Sequence, residues 1–162
     1  TDLSVFIPKN YAQLYAAIHK ASAPAVVIED LNFMMVEDEF SRAKEVGYGK
    51  FTDFAVNMNT VFQKIRSKES DQTFYVLAHP EDRDDIHPNL EFRISAGKMS
   101  KKFPIGAMTN IVLEALMTED GEFVFSTKTN GLGVKSPEDM FPTPDVPNNL
   151  REVDKIIREY YS

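Results

Sequence analysis

Apolar and polar residues recur along the chain with two different periods, and the switches between them mark out helices and strands. Tyr11, Leu14, Tyr15 and Ile18 line one helical face and predict a helix over residues 8–21, with Pro8 in its first turn. Pro24 stops it, and the unbroken apolar run Ala25–Ile28 predicts a buried strand. Residues 31–44 suit a second helix, and Gly47 and Gly49 then break the pattern. The clearest helix covers residues 50–66, where Phe51, Phe54, Ala55, Met58, Val61, Phe62 and Ile65 share a stripe. Asp71 and Gln72 lead into a second apolar run, Thr73–Ala78, followed by the polar loop HPEDRDDIHPN. Leu90–Ser95 alternates like a strand, and Thr109–Leu116 and Glu122–Thr127 predict a hairpin across Thr118–Gly121. Residues 128–147 read as loop. Asn148 or Asn149 then caps a last helix carrying Leu150, Val153, Ile156 and Ile157.

Two continuous apolar strands separated by helices imply a parallel sheet covered on both faces. The closely spaced later strands add an antiparallel part. The expected fold is therefore α/β in three layers, with a mainly parallel sheet, helices on both faces and an antiparallel hairpin toward the C-terminus. The 162 residues suit a single domain, and no repeat, low-complexity tract or linker divides them.

Composition narrows the class. Apolar residues make up 43% of the chain and aromatic residues 11%, as in a folded globular protein. No apolar run approaches the ~20 residues of a membrane span. Cysteine is absent, which excludes disulfides and thiolate metal sites and suits a cytoplasmic location. The net charge of −7 argues against a surface that is basic all over. Val5, Phe6 and Ile7 already read as apolar structure, so further chain is expected ahead of residue 1.

The candidate chemistry sits at the ends of the apolar strands. A parallel strand delivers its last residues to the carboxyl edge of the sheet, where α/β proteins bind ligands. Glu29 and Asp30 end the first strand, placed to hold magnesium and to polarise water. The competing explanation is a strand that ends in solvated acids, with Asp30 capping the next helix. His79 ends the second strand, where a polar residue can sense a terminal phosphate or orient water. A loop histidine that merely terminates the strand is the alternative there. Arg93, Lys98, Lys101 and Lys102 form a stretch without an acid, a local reversal of the overall charge suited to phosphates or to a solvated loop. TNGLGVKSP resembles a phosphate loop but fails its spacing, because Val134 separates Gly133 from Lys135. His19, His79 and His87 lack metal-ligand spacing, and no G-x-S-x-G elbow is present. Met34, Met35, Met58 and Met108 are expected to fill core.

AVVIEDLNFMM, GYGKFTDFAVNMNTVFQKIR, TFYVLAHPE, AGKMSKKFPIGAMTNIVLEAL, GEFVFSTKTNGLGVKSPEDMF and PNNLREVDKIIREYY follow one another in this order. The set resembles the phage-encoded RecA-like P-loop ATPases, with AAA-type domains, that include single-strand annealing proteins of the phage recombination type. The resemblance implies a RecA-like core whose Walker B strand is AVVIED. Family members usually carry two aspartates there, and this chain has Glu29 then Asp30, which keeps the charge and lengthens the reach. The resemblance also implies ATP and Mg2+ as cofactors, with Glu29 and Asp30 at the metal and His79 at a sensor-like position. It puts Lys98 near a neighbouring subunit's nucleotide and matches Lys135 to a recurrent lysine. Arg93, Lys101 and Lys102 would then contact single-stranded DNA in a homo-oligomeric ring or filament. The phosphate loop itself would lie on a strand, loop and helix ahead of residue 1. A catalytically inactive interaction or structural protein on a degenerate P-loop scaffold, or another motor such as a helicase, is the alternative.

Overall fold

A computed structural model describes residues 4–79, 108–128 and 133–162. It is a mixed α/β protein whose residues fall into two compact units. The first unit holds α1 (Tyr11–Lys20), β1 (Ala25–Ile28), α2 (Leu31–Ser41), α3 (Gly49–Arg66) and β2 (Thr73–Val76). The second holds β3 (Glu114–Met117), β4 (Phe123–Ser126), β5 (Asp145–Pro147) and α4 (Leu150–Tyr161). Among the described residues, no helix is long and apolar enough to cross a membrane. The predicted strand Leu90–Ser95 and most of the loop before it lie outside the described residues, as do His87 and residues 129–132 of the glycine-rich stretch.

In the first unit α3 is the spine, with α1 and α2 packed against it. Its stripe behaves as the spacing predicts: Phe54, Ala55, Met58, Val61 and Phe62 are buried. They meet Tyr11, Leu14 and Ile18 from α1 and Leu31 and Met35 from α2 in one apolar core. Fully burying side chains of this size contributes about 1.5–3 kcal/mol each. Polar ties set the helices against one another. The Tyr15 hydroxyl donates to the Asn57 carbonyl at 3.0 Å, joining α1 to α3. Just past α2, Arg42 reaches Glu45 at 2.9 Å and Asp53 at 2.7 Å, and its guanidinium lies 5.4 Å from the centre of the Phe54 ring.

Helix α1 begins later than the pattern suggests. Pro8 precedes it, and Asn10 is the N-cap, accepting the Gln13 N–H at 3.0 Å, while the Gln13 side chain accepts the Lys9 N–H at 2.9 Å. An asparagine that satisfies an orphan N–H outcompetes a proline that only fixes φ.

Strands β1 and β2 pair in parallel, in register from Ala25 opposite Thr73 to Ile28 opposite Val76. The register is set at its entrance. Thr73 N–H donates to the Pro24 carbonyl at 2.9 Å, and the Gln72 side chain donates to the Ala23 carbonyl at 2.6 Å. Lys68 Nζ donates to the Ala21 carbonyl and stands 5.7 Å from the Phe74 ring centre. Cover on both faces is not what forms. Ile28 is buried while Val27 on the opposite face is 51% exposed, so burial alternates along β1.

In the second unit β3, β4 and β5 form an antiparallel sheet in that order. The hairpin turns where predicted, across Thr118–Gly121, while its first strand begins at Glu114 and not at Thr109. Gly121 takes φ +83°, its N–H closes a turn onto the Thr118 carbonyl at 3.0 Å, and Thr118 N–H returns to the Glu122 carbonyl at 2.8 Å. The third strand lies in what the sequence presents as loop, because Asp145–Pro147 has one buried residue and a terminal proline and shows no period. The buried Thr127 holds the long connection in place. Its hydroxyl lies 2.9 Å from the Pro144 carbonyl and 3.1 Å from that of Thr143, its N–H donates to the Pro144 carbonyl, and the Ser136 hydroxyl donates to the Thr127 carbonyl. Helix α4 starts at Asn149, whose side chain accepts the Arg151 N–H at 3.1 Å and donates to Glu152 at 3.0 Å. Val153 and Ile157 are its buried stripe. Met35, Met58 and Met140 are buried, and Met34 and Met108 are half-buried.

Tyr11 carries a testable cost. Its hydroxyl is buried without a hydrogen-bond partner among the described residues, and burial pushes the phenol well above its ordinary value, with Asp38 and Tyr15 adding to the rise. The unfolded chain releases this proton near pH 10, roughly the free tyrosine value, and the folded chain keeps it to higher pH. Stability from this group is therefore complete below pH ~10 and falls as pH rises beyond it. Tyr11→Phe is expected to leave stability at neutral pH unchanged or raised by up to about 1 kcal/mol, and to flatten the alkaline decline in denaturant titrations. A loss above about 1 kcal/mol at neutral pH would show that the hydroxyl is satisfied.

Candidate functional site

The parallel register determines what meets at the far end of β1 and β2. After Ile28 the ladder runs on: Leu77 N–H donates to the Ile28 carbonyl at 2.9 Å, and Leu31 N–H donates to the Leu77 carbonyl at 3.3 Å. Between these bonds the first chain turns sharply. Asp30 has φ 49° and ψ 46°, the left-handed region that few residues other than glycine, asparagine and aspartate enter easily. Its carbonyl accepts the Phe33 N–H at 2.8 Å, and α2 follows at once.

That turn decides the use of the Asp30 side chain. Asp30 is at the N-cap position of α2 but makes no side-chain cap bond, so the capping explanation does not hold. Its carboxylate faces the other strand instead, with Oδ1 3.1 Å from His79 Nε2. Nε2–H can donate to this oxygen in the neutral and in the protonated ring. Asp30 is 48% and His79 77% exposed at the side chain. Ion pairs this open contribute about 0–1 kcal/mol, too little for stability alone to account for a left-handed aspartate.

Asn32, in the first turn of α2, completes the group. Its Oδ1 accepts the His79 N–H at 3.3 Å, and its Nδ2 lies 3.5 Å from the His79 carbonyl. Sequence reasoning passed over Asn32. The available signal was a poor helix former placed one residue inside the helix that follows the acids.

The other sequence candidates fall differently. Glu29 adjoins Asp30 and is exposed, and it forms no ion pair among the described residues. Lys135 belongs to the second unit, where it is exposed and its backbone pairs with Val112, N–H to carbonyl at 3.0 Å and 2.8 Å. Arg93, Lys98, Lys101 and Lys102 lie outside the described residues.

Among the described residues no three His, Asp or Glu side chains gather as a metal cluster. Magnesium at a phosphate site typically takes one or two carboxylates and retains water. Asp30, with an oxygen not engaged by His79, and the neighbouring Glu29 are a donor set of that size. The chain matches no family model, no curated protein and no solved structure.

Asp30→Asn tests the energetic assignment. Asparagine tolerates the left-handed backbone, so the melting temperature is expected to change by no more than the ~1 kcal/mol of an exposed pair implies. A large loss of stability would make Asp30 a structural residue.

Proposed function

We propose that this chain is part of a RecA-like P-loop ATPase of the phage recombination type, binding ATP with Mg2+ and acting on single-stranded DNA as a homo-oligomeric ring or filament. One observation carries the proposal: Asp30 and His79, at the carboxyl ends of two parallel in-register strands, stand 3.1 Å apart. The ordered set of motifs in the sequence supports it as well.

Each residue has a part in this scheme. Asp30, with Glu29 beside it, would hold magnesium. The metal would neutralise charge developing on the phosphates. His79, held by Asp30, presents its imidazole at the same edge, where it orients the attacking water or reports the terminal phosphate. Lys98 and Lys135 would meet nucleotide, and Arg93, Lys101 and Lys102 the DNA backbone. The 162 residues hold no G-x-x-x-x-G-K-[ST] run, so the scheme takes the phosphate loop from chain outside them.

The intact protein is the material to test. It is expected to hydrolyse ATP with magnesium and single-stranded DNA, and Asp30→Asn to lower kcat by about 100-fold or more with the fold retained. Unchanged turnover in that variant would remove Asp30 from the chemistry. Replacing Arg93, Lys101 and Lys102 together by alanine should flatten the dependence of log K for DNA on log salt, by about 0.7 per lost phosphate contact. An unaltered slope would contradict those contacts. DNA binding without any turnover would favour the interaction protein on a degenerate scaffold.

A further inference from the structure

We infer that Asn32 is a positioning residue for the Asp30–His79 pair, its side-chain amide standing in for a peptide group where the parallel ladder runs out. In a regular parallel pair the first strand would go on to bond the backbone of residue 79. Here the left-handed turn at Asp30 takes that strand away into α2. Leu77 is the last residue of the second strand to find main-chain partners on the first, at Ile28 and Leu31. Two residues further on, the Asn32 amide accepts the His79 N–H at 3.3 Å and brings Nδ2 to 3.5 Å from its carbonyl, the two contacts that a paired strand would make. With the His79 backbone held from α2, the imidazole is kept within 3.1 Å of Asp30 although it is largely exposed.

The geometry explains why asparagine serves at this position. A side-chain amide offers an acceptor and a donor on one short stem, as a peptide does. Aspartate would keep the acceptor and lose the donor, and alanine would lose both. An exposed imidazole on an untethered strand end samples several rotamers, and each one away from Asp30 leaves the pair broken. The consequence for turnover rests on the ATPase proposal. The consequence for His79 does not.

The experiment is NMR on the protein with Asn32→Ala and Asn32→Asp. Amide hydrogen exchange at His79 is expected to accelerate about fivefold in Asn32→Ala, the factor one ordinary hydrogen bond is worth, with Leu31 and Leu77 unchanged. The His79 Nε2 nitrogen shift should move toward that of a free imidazole. Asn32→Asp should keep most of the His79 protection. Exchange at His79 that stays slow, an unmoved imidazole signal, or equal acceleration at Leu31 and Leu77 would each overturn the inference. In the intact protein Asn32→Ala should lower kcat with KM unchanged. If the wild-type protein does not hydrolyse ATP, the function proposal fails while the exchange and imidazole results still decide the role of Asn32.

Discussion

The in-register parallel pairing of Ala25–Ile28 with Thr73–Val76 is the constraint on which the candidate site depends. Parallel pairing sends both chains out of the sheet at the same edge. Register decides which residues emerge together, and a slip of one residue would turn alternate side chains to the other face. The contacts that hold the register lie at the opposite end, in the bonds from Gln72 and Thr73 to Ala23 and Pro24. In the same unit α1 and α2 pack on α3.

The edge departs from ideal geometry at one residue. Asp30 occupies a left-handed conformation, forgoes a cap bond and spends its carboxylate on an exposed histidine. Each choice costs stability or adds little. Local arrangements that run against local preference cluster at functional sites, and this cluster lies at the strand edge where α/β proteins bind ligands. In the second unit Asp139 also takes a left-handed backbone, at φ 58°, and Glu114 buries a carboxylate oxygen that has no hydrogen-bond partner among the described residues. The buried hydroxyl of Thr127, by contrast, is satisfied by two carbonyls and serves the connection to β5.

Much of the architecture was legible because it rests on periodicity. The α3 stripe, both apolar strands, the hairpin with its Gly121 turn and the cap at Asn149 all carry local signals strong enough to survive packing. Three features were not legible, each for a physical reason. The start of α1 was settled by competition between Pro8 and Asn10, and side-chain hydrogen bonding won. Strand β5 has three residues and takes its order from β4. The open face of β1 at Val27 looked internal because valine and isoleucine are alike in sequence whichever face they serve. At the site, the residue types at positions 30 and 79 pointed to their meeting, while Asn32 became visible only once the turn at Asp30 placed it against the His79 backbone.

The most direct measurement replaces magnesium by paramagnetic manganese with a non-hydrolysable ATP analogue and follows the NMR spectrum of the intact protein. If the carboxyl edge of β1 and β2 holds the metal and the terminal phosphate, signals from residues 28–32 and 77–79 broaden first, at the lowest manganese levels, and only when nucleotide is present. Sharp signals from Asp30 and His79 under conditions that broaden others, or broadening that ignores nucleotide, would contradict a nucleotide site at this edge.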